Sequence, residues 1–119
     1  MISLLQGSSI LVVEDEMLVL MNIEAVLTDH GCTRITAAAT VEQALAALST
    51  QSFDVAVLDV NLGGETSQPV AEDLCARAIP FVVSSGYGQL DGNYKNQPVL
   101  MKPYPDEALL KALTHLLGR

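Results

Sequence analysis

The chain has 119 residues, half of them hydrophobic and 17% charged, and its six basic and fourteen acidic side chains give a formal net charge of −8. That length and apolar content fit one domain with a real core and exclude a disordered tail as the main content. The acidic balance argues against direct contact with nucleic-acid phosphates, and no apolar run reaches the roughly 18 residues of a membrane-spanning helix.

The amino-terminal residues lack both the basic start and the long apolar segment of an export signal, so a soluble cytoplasmic protein is expected. Residues 9–13, Ser9-Ile10-Leu11-Val12-Val13, read as a buried strand that runs into Glu14-Asp15-Glu16. A helix follows over residues 17–30, apolar on more than one face, with Gly31 as its stop. Residues 32–37 read as a short strand. Thr40-Val41-Glu42-Gln43 fits a capping box that opens a helix to about residue 48. Cys32 and Cys75 match no metal or redox spacing and read as buried thiols.

The stretch 53–59, Phe53-Asp54-Val55-Ala56-Val57-Leu58-Asp59, is a short apolar run closed by an acid and by the turn formers Asn61, Gly63 and Gly64. Such runs are strands buried on both faces of a parallel sheet. A helix is expected over residues 69–78, a fourth strand over 80–85 and a fifth over 97–101, ending at Lys102-Pro103. The last helix starts at Pro105-Asp106-Glu107, with acids where the helix dipole favours them, and runs to residue 117. Between residues 88 and 97 the alternation requires a helix, but Gly92 and Asn93 weaken it, so a short or irregular one is expected. Strand and helix alternate throughout with no repeat or linker, which argues for a single α/β domain over residues 1–119 with a covered parallel sheet.

Chemistry collects where parallel strands end. The first strand offers Glu14 and Asp15, the third Asp59, the fourth Ser85 and the fifth Lys102, all on one edge of the sheet. Two carboxylates 4 Å apart repel by about 4 kcal/mol at an effective dielectric of 20. A cation held between them, or a proton on one of them, relieves this. A hard ion such as Mg²⁺ suits the set, because it binds through few carboxylates and accepts phosphate oxygens.

This order of motifs resembles the receiver domain of two-component response regulators over nearly the whole chain. The match includes the pair Glu14-Asp15, Asp59, the hydroxyl of Ser85 and Lys102-Pro103. The stretch from Pro80-Phe81-Val82 to Ser85-Gly86-Tyr87-Gly88 is similar to a subgroup with a Pro-Phe-Val, then Thr-Gly-Tyr-Gly pattern, with serine for threonine.

The resemblance implies a flavodoxin-like doubly wound sheet of five parallel strands in the order 2-1-3-4-5, with five helices. It implies a phosphorelay switch without an output domain, and not an enzyme acting on other substrates. Asp59 would accept a phosphoryl group from a phosphohistidine on a histidine kinase or histidine phosphotransfer protein. Asp15 would bind Mg²⁺ directly, Glu14 through water, and Asn61 through its backbone carbonyl. Ser85 would donate to a phosphoryl oxygen, Lys102 would pair with Asp59 and then with the phosphoryl group, and the Lys102–Pro103 bond would be cis.

One departure stands out: the aromatic switch residue that most receivers carry three positions before the lysine is Val99 here, so Tyr87 is expected to take over part of its role. Two other classes compete. A receiver-like module that binds proteins without phosphorylation would not need the intact acid set. A phosphatase of the haloacid dehalogenase type would need its nucleophile after the first strand and a second aspartate two residues on, where this chain has Asn61.

Overall fold

The computed structural model describes residues 4–86, 94 and 97–118. Five parallel strands form the main sheet: β1 (Ser9–Val13), β2 (Arg34–Ala38), β3 (Val55–Asp59), β6 (Phe81–Ser85) and β7 (Val99–Met101). Their order is β2-β1-β3-β6-β7, which is the expected flavodoxin-like arrangement. Helices α1 (Met17–Asp29), α2 (Val41–Thr50), α3 (Gln68–Ala76) and α4 (Asp106–Leu116) complete it, four among the described residues. The expected short helix near residues 88–97 lies outside the described residues.

Alternation along each strand sends side chains to two separate cores. Leu11, Val13, Ala56, Leu58, Phe81 and Val83 pack with Ala44 and Leu48 of α2 and with Val70, Ala71 and Leu74 of α3. Ile10, Val12, Val55, Val57 and Val82 pack with Leu20, Ile23 and Leu27 of α1 and with Leu109 and Leu113 of α4. The apolar run Val55–Leu58 of β3 follows, because a strand buried on both faces has no solvent side to be polar on.

Local boundaries differ from expectation in instructive ways. The second strand begins at Arg34, and Cys32 precedes it as a buried residue whose Sγ–H donates to the Ser8 carbonyl at 3.4 Å. Cys75 is exposed on α3, so the reading of both cysteines as buried holds for Cys32 only. Thr40 caps α2 as expected, its Oγ1 accepting from the Gln43 N–H at 3.0 Å, an interaction worth about 1 kcal/mol. Gln43 reaches back one residue further than a standard capping box, to the Ala39 N–H. Pro105 occupies the N-cap of α4 rather than its first turn, leaving Asp106 and Glu107 as the acids near the positive helix end.

A two-stranded hairpin follows β3 and was not anticipated: β4 (Asn61–Leu62) pairs antiparallel with β5 (Glu65–Thr66). Gly63 (φ 62°) and Gly64 (φ 92°) form its two-residue loop, where both positions need the left-handed backbone that glycine adopts without strain.

Candidate functional site: a carboxylate cluster at the sheet edge

The chain leaves β1 to build β2 on one side, then returns to build β3 on the other. The strand order therefore reverses between β1 and β3, the point where open α/β sheets form ligand crevices at their carboxyl ends. Glu14 and Asp15 follow β1 and Asp59 ends β3, so all three acids meet at this point. One carboxylate oxygen from each lies within 4.8 Å of the others.

Glu14 and Asp59 are buried, at 1% and 5% exposure, whereas Asp15 is exposed. Lys102, at the end of β7, reaches back over the sheet edge. Its Nζ donates to Asp59 Oδ2 at 2.9 Å and lies 3.4 Å from Glu14 Oε1. Burial alone would lower the lysine pKa, but the hydrogen bond and charge of Asp59, with those of Glu14, outweigh it and hold Lys102 above its ordinary value.

One ammonium cannot neutralise three carboxylates, and the remainder falls on Glu14. Its pKa is pushed up to about 7, first by burial, then by its hydrogen bond to Asp59 and that residue's charge. The Glu16 N–H, donating to Glu14 Oε2 at 3.1 Å, and the charge of Lys102 offset this only partly.

The expected partners of the acids also converge. The Asn61 N–H donates to Asp59 Oδ1 at 3.3 Å, while the Asn61 side-chain oxygen accepts from the Gly64 N–H at 2.9 Å. That side chain is committed to the hairpin turn. The Lys102–Pro103 peptide is cis, as expected, and the Lys102 N–H donates to the Ser85 carbonyl. Ser85 is fully buried at the end of β6 and pairs in register with Met101. Its neighbour Ser84, in register with Asp59, is buried as well. Tyr87 lies outside the described residues. Val99 is 41% exposed on β7.

Asp15, Asp59, Asn61, Gly63, Gly64, Gly86 and Lys102 line an open polar cleft of about 390 Å³. Sequence reasoning missed Gly63, whose N–H donates to Asp15 Oδ2 at 2.9 Å and so orients the exposed acid from across the cleft. Glycine at both central positions of a two-residue loop was the available signal. Tyr104 was missed too. Its hydroxyl is buried beside the cluster, and its pKa is raised mainly by that burial.

The donor set suits a hard divalent cation: clustered carboxylate oxygens, partly open to water, with no competing thiolate or imidazole among the described ligand groups.

A family model for the response regulator receiver domain matches residues 10–114. The chain belongs to this family. Receiver domains are signalling domains of two-component systems that bind Mg²⁺ at an acidic pocket and interact with histidine kinases or phosphotransfer proteins. Among solved structures, this receiver is 44% identical to SdrG from Sphingomonas melonis Fr1, with a TM-score of 0.80 over 92% of this chain and 96% of that one. A BeF₃-activated conformation of SdrG, from Pseudomonas melonis Fr1, matches at 43% identity and a TM-score of 0.77, covering 94% and 98%. A response regulator receiver protein from Sinorhizobium medicae WSM419 matches at 27% identity and a TM-score of 0.83, covering 96% and 97%. No curated protein matches the chain. Among the described residues, no helix is long and apolar enough to cross a membrane.

Proposed function

We propose that this receiver is a phosphorylation-dependent switch that accepts a phosphoryl group on Asp59 from a phosphohistidine, with Mg²⁺ held by Asp15, Asp59, the Asn61 carbonyl and, through water, Glu14. The observation that carries this reading is the convergence of three carboxylates and Lys102 on one sheet edge. A bound Mg²⁺ supplies positive charge to the carboxylates and to the transferring phosphoryl oxygens.

In the transfer, an Asp59 carboxylate oxygen forms the new O–P bond as the P–N bond to the donor imidazole breaks. The Asn61 N–H holds one oxygen of the carboxylate and Lys102 the other, a contribution of position more than of chemistry. Lys102 then moves its hydrogen bond from Asp59 to the phosphoryl group, and Ser85 donates its hydroxyl to a phosphoryl oxygen. Tyr87 follows Ser85 in the switch. Support comes also from SdrG, a relative more than 40% identical for which a BeF₃-activated conformation exists, since BeF₃ has the shape and charge of a bound phosphoryl group.

The partner is a histidine kinase or phosphotransfer protein. An apolar groove of about 510 Å³ between α1 and the segment after β7 lies beside the cleft and shares Lys102 with it. Leu18, 82% exposed, stands at its rim, and Met17 and Met21 are exposed nearby on the same helix. These are the residues a partner helix would cover.

The test is incubation with Mg²⁺ and acetyl phosphate. An acid-stable, base-labile mass gain on the wild type that is absent from Asp59→Asn supports the reading. Absence of any adduct, or an adduct that survives Asp59→Asn, overturns it.

A further inference from the structure

Ser67 occupies the N-cap of α3, where a serine hydroxyl ordinarily accepts a hydrogen bond from an amide of the first helical turn. It makes no such bond. Its Oγ lies 2.7 Å from the Tyr94 hydroxyl, 27 residues further along the chain. Both side chains are buried, Ser67 at 0% and Tyr94 at 3% exposure. A neutral hydroxyl pair shielded from water is stronger than one at the surface, and costly to leave half made.

The location of Ser67 gives the pair its meaning. The Ser67 N–H donates to the Val60 carbonyl at 2.9 Å, closing the base of the β4–β5 hairpin directly after Asp59. That hairpin carries Asn61, whose N–H holds Asp59, and Gly63, whose N–H holds Asp15. The Tyr94 ring belongs to the same core cluster as Leu62 of β4 and Val70 of α3. Tyr94 lies between β6 and β7, in the connection that begins next to Ser85 and Gly86 at the cleft.

We propose that Tyr94 is a positioning residue for the phosphoacceptor loop. Its hydroxyl, through Ser67, fixes the base of the hairpin and so sets the two amides that orient Asp59 and Asp15, and it joins that hairpin to the connection after β6. The serine gives up its helix cap for this link. Its consequence for phosphorylation rests on the function proposed above, whereas its consequence for the hairpin does not.

The experiment therefore has a metal-free arm and a phosphorylation arm, using Tyr94→Phe, Ser67→Ala and the double variant. In EDTA, exchange of the Gly63 and Gly64 amide protons should accelerate about fivefold in each single variant, the factor equivalent to one neutral hydrogen bond. The double variant should show no further increase, and Leu113 in α4 should report any general loss of stability. With Mg²⁺ and acetyl phosphate, the same variants should change the rate of Asp59 phosphorylation by a similar factor, again without addition in the double variant.

Unchanged Gly63 and Gly64 exchange, or acceleration equal to that of Leu113, would show a packing role only and overturn the proposal. Additive effects of the two substitutions would overturn it as well. A wild-type protein that shows the exchange behaviour but takes no phosphoryl group would refute the functional reading while leaving the positioning role standing.

Discussion

Two aspartates bracket the same strand and have opposite fates. Asp54 precedes β3 and Asp59 ends it. At the entry, Asp54 Oδ2 accepts from the Ser9 N–H at 2.7 Å while the Asp54 N–H donates to the Ser9 carbonyl at 2.8 Å, a closed exchange that aligns β1 with β3 at an exposed edge. At the exit, Asp59 is buried beside Glu14, with the exposed Asp15 close by, and shares one lysine with Glu14. The first acid is satisfied by backbone and has nothing left to do. The second stands among like charges that the fold alone does not neutralise, an arrangement that favours a ligand over stability.

The largest effect that would sharpen this contrast concerns Lys102. Lys102→Ala removes the only cation that touches Asp59 and Glu14 among the described residues, and phosphorylation by acetyl phosphate should slow by about 10²–10³, as for loss of one preorganised donor. A rate within about threefold of wild type would show that the ammonium is a bystander at this edge.

Next comes the protonation of Glu14 in the metal-free protein. Its folded pKa of about 7 lies above the ordinary 4.5, so the folded state binds this proton more tightly than the unfolded one. The resulting stabilisation is fully present below pH 4.5 and is lost as pH rises through 7. It corresponds to about 3 kcal/mol. Thermal melting in EDTA from pH 5 to 8 should show the loss, and Glu14→Gln should flatten it. Equal pH slopes for the two proteins would contradict the clustered-acid account.

The smallest effects are those of the two aspartates themselves in EDTA, and only the Asp54 substitution should destabilise. Asp59→Asn relieves repulsion and should leave stability unchanged or raise it by about 1 kcal/mol. Asp54→Ala removes a charge-assisted bond to backbone and should lower it by about 1 kcal/mol. Chemical denaturation measures both, and a shared sign would dissolve the distinction between the two strand ends.

Much of this edge is legible in the sequence. Three of the apolar runs are short and closed by charged residues, so Glu14, Asp15, Asp59 and Lys102 mark three strand ends and their shared side. Asp54 sat in the same run, and only the register of β1 against β3 separates its structural part from that of Asp59. The hairpin escaped notice because two-residue strands are too short for alternation to appear, although Gly63-Gly64 marked its turn. Tyr94 escaped for another reason. A single tyrosine in a polar stretch has no periodicity, and its partner Ser67 lies at a helix start, where capping already explains a serine. Long-range pairing of side chains is a property of the folded chain, and composition holds no trace of it.

A divalent cation is expected at the exit of β3 and not at its entry. A Mg²⁺ titration followed by amide NMR tests this directly. Saturable shifts are expected at Asp15, Asp59 and Gly63, abolished in Asp59→Asn and retained in Asp54→Asn, with Ser9 and Asp54 unmoved. Shifts that spread evenly over acidic residues at both ends of the strand, or survive Asp59→Asn, would contradict it.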